Sequence, residues 1–94
     1  MKNNEVKCYG ITISTDETFN MIMQDDIRLN AITNTKPAGV YLDPNGFYQM
    51  LIYRTPEKRN KAFKVISRYF KTAAVCVQPI YVEKEYLGGK TDDE

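Results

Sequence analysis

Ninety-four residues with 43% hydrophobic and 27% charged content make a chain of the size and balance of one folded domain rather than a disordered segment. Thirteen basic against twelve acidic residues leave a formal charge of +1, which excludes a surface built wholly for nucleic acid or an anionic membrane but leaves room for a local basic patch. Two cysteines without a CxxC spacing exclude a disulfide framework or a thiol-only zinc site, and no apolar run reaches the roughly 18 residues of a transmembrane helix, so a reducing cytoplasm and no membrane partner are expected.

Residues Val6 to Ile13 are β-branched and aromatic, with Tyr9, Ile11 and Ile13 alternating against Cys8, Gly10 and Thr12, which predicts a strand. Ser14-Thr15-Asp16-Glu17 follows: Ser14 can cap the N–H of Glu17 while the Glu17 carboxylate reaches back, the capping box that opens a helix. That helix would present Phe19, Ile22, Met23 and Ile27 on one face and end between residues 25 and 31, near the acidic pair Asp25-Asp26. Asn34 to Ala38 reads as loop and Val40 to Leu42 as a short strand. Asp43-Pro44-Asn45-Gly46 is a turn in which proline presets φ and glycine tolerates the left-handed region, folding the chain back through Phe47 to Arg54 as a hairpin.

Thr55-Pro56-Glu57 opens the second helix, with threonine as N-cap, proline at the first helical position and an acid in the first turn. Ala62, Phe63, Ile66, Tyr69, Phe70 and Ala73 form its apolar stripe. Ala74 to Val82 is the last strand, interrupted by Pro79, and residues 88–94 read as a flexible acidic tail after a domain spanning 1–87. The order β-α-β-β-α-β predicts an α+β, ferredoxin-like sandwich: a four-stranded antiparallel sheet of order 4-1-3-2 with both helices on one face and the proline-bearing strand at an edge.

The sheet face away from the helices is expected to carry Phe47, Gln49, Leu51 and Tyr53 of the third strand with Cys8, Gly10 and Thr12 of the first, because Gln49 is the polar marker of its alternation. An uncharged, partly aromatic face of that kind is covered by a second subunit, by the C-terminal segment with Tyr81, Tyr86 and Leu87, or by a partner; the alternative is a mildly apolar, solvated sheet. At about 100° per residue, Lys58, Lys61, Lys64, Arg68 and Lys71 gather on the outer arc of the second helix, while Arg59 falls over its apolar side. The arc is either a solvated helix face or a site for phosphate or an acidic partner.

The stretch from Gly46 to Phe63, with Gly46-Phe47 leading a strand into Thr55-Pro56-Glu57, resembles part of an RNA-recognition motif. The resemblance implies single-stranded RNA stacked on third-strand aromatics, but Gln49 stands where the family carries its second stacking aromatic. The basic arc also faces away from the sheet platform, so RNA is the second reading.

Without histidine, imidazole acid–base chemistry, Ser-His and Cys-His nucleophile pairs and His metal ligation are all excluded. Asp25 and Asp26 point about 100° apart on a helix and would hold a divalent ion weakly. Cys8 and Cys76 can face one another on neighbouring strands, as buried reduced thiols or as a redox pair. No cofactor or metal is expected. The reading that remains is a non-catalytic binding or regulatory protein that docks on a macromolecular partner, a protein above all, and self-associates through the open sheet face. Such a compact domain is similar in kind to the accessory inhibitors of phages and mobile elements, anti-CRISPR proteins among them.

Overall fold

The computed structural model describes residues 4–18 and 34–87. The apolar face expected at Phe19, Ile22, Met23 and Ile27, the pair Asp25-Asp26 and the acidic tail 88–94 lie outside the described residues. The architecture is α+β. Strand β1 (Glu5–Ser14) runs into helical residues 15–18 (α1), followed by β2 (Gly39–Leu42), β3 (Tyr48–Tyr53), helix α2 (Pro56–Ile66), β4 (Ala74–Val75), β5 (Ile80–Glu83) and a 3-10 turn, Lys84–Tyr86. All strand pairings are antiparallel, and the sheet order is β2-β3-β1-β4, with β5 also paired to β1.

The local signals act where the residues place them. Gly46 takes φ +79 in the turn between β2 and β3, where its N–H donates to the Asp43 carbonyl at 2.9 Å and the Phe47 N–H donates to the Asp43 carboxylate at 3.1 Å. Thr55 caps α2 by accepting from the Lys58 N–H at 3.1 Å. The capping box expected at Ser14 is replaced by a longer connection, because Ser14 is still part of β1. Its N–H donates to Thr72 Oγ1 at 2.9 Å, and the Glu17 carboxylate accepts from the backbone N–H groups of Lys71 (2.7 Å) and Thr72 (3.0 Å) and from the Thr72 hydroxyl. One carboxylate thus ties α1 to the turn that precedes β4.

Helix α2 is shorter than its apolar stripe. It stops at Ile66 with Ser67 as C-cap, and the i→i−3 bonds of Arg68 to Val65 (3.1 Å) and Tyr69 to Ile66 (3.0 Å) tighten the chain into a turn. Phe70 and Ala73 still pack on the core from outside the helix.

The last predicted strand is present in two pieces. Cys8 opposes Ile80 and Ile11 opposes Val75, so three steps along β1 face five along the other chain, leaving two extra residues in the segment 76–79. The carbonyls of Asn4 and Gly10 accept from the N–H groups of Lys84 and Cys76, each at 2.9 Å. Residues of like parity on an extended strand direct their backbone groups to the same side, so β4 and β5 lie along one margin of β1.

Directly opposed residues of an antiparallel ladder share a face. Ile11↔Leu51, Ile13↔Gln49 and Tyr9↔Tyr53 therefore put the Leu51 set of β3 on the same side as Ile11 and Ile13, where Leu51 and Tyr53 join Ala62, Ile66 and Phe70 in the principal core. This corrects the expected open face: Leu51 is 1% exposed and Tyr53 3%, both beneath α2. Gln49 is partly buried on that same side, and Phe47 is 74% exposed in the turn before β3. Cys8, Gly10 and Thr12 do look away from α2, as expected of β1, but their partners from β3 are Met50 and Ile52.

Candidate functional site

The face away from α2 is built by Val6, Cys8, Gly10 and Thr12 of β1, Met50 and Ile52 of β3, and Ile80 and Val82 of β5. It is not bare. The 3-10 turn carries Leu87 back over the sheet, where it is buried with Cys8 and Ile52 and packs near Ala38 and Gly39. The chain's own C-terminal segment, one of the three covers foreseen for this face, therefore closes part of it. Gly10 lets Met50 lie flat against β1: a Cβ there would sit 2.8 Å from Met50 Sδ and 3.3 Å from Cys76 Sγ.

Beside the Leu87 cover an open groove of about 520 Å³ remains. Met50, Ile52, Ile80 and Val82 supply its apolar floor, and three partly exposed tyrosines, Tyr41, Tyr81 and Tyr86, line its sides. Glu5 and Glu83, directly opposite one another across the β1–β5 ladder, complete the lining. Tyr41 also stands in a tilted ring contact with Tyr48, centroids 6.5 Å apart. An apolar concavity with a few polar groups at its margin is the usual form of a recognition site.

The sequence-predicted residues fall differently. Of Phe47, Gln49, Leu51 and Tyr53, none lines the groove; the apolar members of β3 that do, Met50 and Ile52, belong to the alternate set. Lys58, Lys61 and Lys64 are exposed on α2, but Arg68 lies in the turn after the helix and Lys71 further on, so the five cations do not form one helical stripe. The groove and these cations occupy opposite sides of the sheet. Arg59 is engaged: its guanidinium lies 5.9 Å from the Tyr9 ring centroid and donates to the Cys76 carbonyl at 3.2 Å.

Both cysteines are free, Cys8 buried and Cys76 partly buried. They are not directly opposed, since Cys8 faces Ile80 and the Cys76 N–H bonds Gly10. Burial pushes both thiols up, partly offset by Arg54 near Cys8 and Arg59 near Cys76, which disfavours the reactive thiolate. Among the described residues no helix is long and apolar enough to cross a membrane.

Sequence marked Tyr81 and Tyr86 only as available cover, and gave no sign of Tyr41 or of the glutamate pair. The signal lay in the register, since Glu5 and Glu83 are far apart in sequence and meet only through the pairing of β5 with β1. Compared with family models, curated proteins and solved structures, the chain matches none.

Proposed function

We propose that this chain is a non-catalytic binding domain whose groove, on the sheet face away from α2, receives an extended and largely apolar segment of a protein partner. The observation that carries the reading is the groove itself, with its floor of Met50, Ile52, Ile80 and Val82 between partly exposed tyrosines. Tyrosines contribute large contact area at low entropic cost and keep a polar tip in water, so they suit a surface that is wet when empty and dry when filled. The lack of histidine supports the non-catalytic part. A nucleic acid fits less well here, because the groove offers no lysine or arginine among its described lining residues while Lys58, Lys61 and Lys64 stand on the other side of the sheet.

The same reading takes β4 and β5 as two halves of one final strand, split by the segment 76–79. Counted so, the topology is the ferredoxin-like β-α-β-β-α-β order, and the groove occupies the sheet face that such a layout leaves free of helices. The shared margin of β1 supports this.

The test is a backbone-amide NMR titration with a soluble peptide of alternating valine and serine. Expected are shifts at Met50, Ile52, Ile80 and Val82 that vanish in Tyr41→Ala/Tyr86→Ala. No shifts at millimolar peptide, or shifts confined to α2, would overturn the reading.

A further inference from the structure

The outer margin of β2 is left open by the sheet. β2 ends the strand order, and among the described residues no strand pairs along its far side. The Asp43 N–H donates inward, to the Tyr48 carbonyl at 3.0 Å. Backbone groups of an antiparallel strand alternate between its two margins, so Tyr41 also bonds β3, while Val40 and Leu42 turn their N–H and C=O groups outward. The usual protections of such an edge are missing, since Gly39–Leu42 holds no charged residue and no proline. Its side chains are open as well: Val40 is 46% exposed, Tyr41 39% and Leu42 66%. The opposite flank differs, because the segment 76–79 interrupts it and carries Pro79.

We propose that β2 pairs antiparallel with β2 of a second copy of this chain, about a two-fold axis at Tyr41. In that register Val40 opposes the partner's Leu42 and Leu42 opposes the partner's Val40. Each outward N–H then meets a carbonyl, and each outward carbonyl an N–H. Directly opposed residues share a face, so these apolar side chains cover one another on the α2 side, where Val40 already opposes Leu51. Tyr41 meets the partner's Tyr41 on the groove side, at a non-hydrogen-bonded position where Cα atoms stand about 4.5 Å apart. A second copy is the occupant because the strand complements itself: donors meet acceptors, the larger Leu42 meets the smaller Val40, and no like charges oppose. The pairing uses β2 of both copies while the other flank stays interrupted, so assembly closes at the dimer. So short a strand makes a small contact, and the dimer forms weakly and with concentration. The inference goes beyond the groove and is independent of what the groove receives.

The experiment is light scattering on the full chain from micromolar to millimolar concentration. Expected is a mass that rises toward twice that of one chain. Leu42→Lys and Val40→Lys should each weaken association by about tenfold or more, because a lysine on an edge strand opposes pairing. Both variants should melt like the parent at micromolar concentration, which shows that the fold is intact. Under mild oxidation Tyr41→Cys should form a disulfide-linked dimer much faster than Leu42→Cys, whose thiol would face the partner's Val40, and faster than the parent with Cys8 and Cys76. The mass of one chain throughout the range would overturn the proposal, as would a doubled mass that survives Leu42→Lys or growth into larger assemblies. Equal cross-linking of Tyr41→Cys and Leu42→Cys would overturn the axis at Tyr41 and the proposal with it. The valine–serine peptide titration of the groove reads a different set of amides, so the two readings fail separately.

Discussion

The guanidinium of Arg59 donates to the carbonyl of Cys76 at 3.2 Å, fastening the first turn of α2 to the interruption in the last edge of the sheet. The same group lies over the Tyr9 ring and bonds Asn60 Oδ1 at 2.8 Å. A helix residue that reading by periodicity places on the apolar side thus serves as a strut between helix, central strand and edge. Arg59→Ala should lower stability by about 1–2 kcal/mol, and Arg59→Lys should recover less than half of that, because an ammonium cannot stack and donate in the same plane. Chemical denaturation of the three proteins checks this, and an equal melt for Arg59→Ala would remove the strut.

Gly10 is held to glycine by Met50. Gly10→Ala should cost about 1–2 kcal/mol, since the added methyl meets Met50 Sδ at 2.8 Å and Met50 Cγ at 3.0 Å. Met50 is flexible and lines the groove, so the strain is relieved when Met50 is also shortened. In a double-mutant cycle with Met50→Ala, the two losses should sum to more than the loss of the pair.

The relay from Ser14 through Thr72 to Glu17 predicts strong dependence on two polar side chains. Glu17→Ala removes the acceptor for the N–H groups of Lys71 and Thr72 and should destabilise by about 2–3 kcal/mol. Thr72→Val, which removes the acceptor of the Ser14 N–H, should cost about 1–2 kcal/mol. Amide exchange at Ser14 and Thr72 would accelerate in Glu17→Ala if the relay holds, and unchanged protection there would count against it.

Tyr53 donates to the Thr35 carbonyl at 2.8 Å from within the core, and burial pushes its phenol up to about 12. The ordinary tyrosine value, near 10, applies to the unfolded chain, so the unfolded state loses this proton first as pH rises. The stability contributed by the neutral phenol is complete below about pH 10 and lost as pH climbs through about 12. Tyr53→Phe should flatten the alkaline decline seen in melting curves, and a decline of the same slope in that variant would assign it elsewhere.

One turn and one helix start were legible from short-range chemistry: Asp43-Pro44-Asn45-Gly46 and Thr55-Pro56-Glu57 do locally what their residues dictate. The facing of β3 was not. Both of its faces are apolar because both are covered, one by α2 and the other by Leu87, and Gln49 misleads as a marker since it sits near the end of the strand away from the Leu51–Tyr53 contact with the helix. The end of α2 was hidden for a related reason. Phe70 and Ala73 continue the apolar spacing from a turn, so the periodicity outlasts the helix. The groove needed the β1–β5 register, which brings together residues from opposite ends of the chain.

Segment 76–79 has a bearing on how these molecules behave when crowded. Val77, 89% exposed, projects from it, and Pro79 supplies no N–H there. An incoming polypeptide that tries to extend the sheet past β4 and β5 meets a gap in the row of donors and a protruding side chain, so stacking of chains into fibrils is blocked along that flank. Excising Val77 and Gln78 together with Pro79→Val would make that row continuous, and the shortened chain should form thioflavin-positive aggregates under conditions in which the parent remains clear.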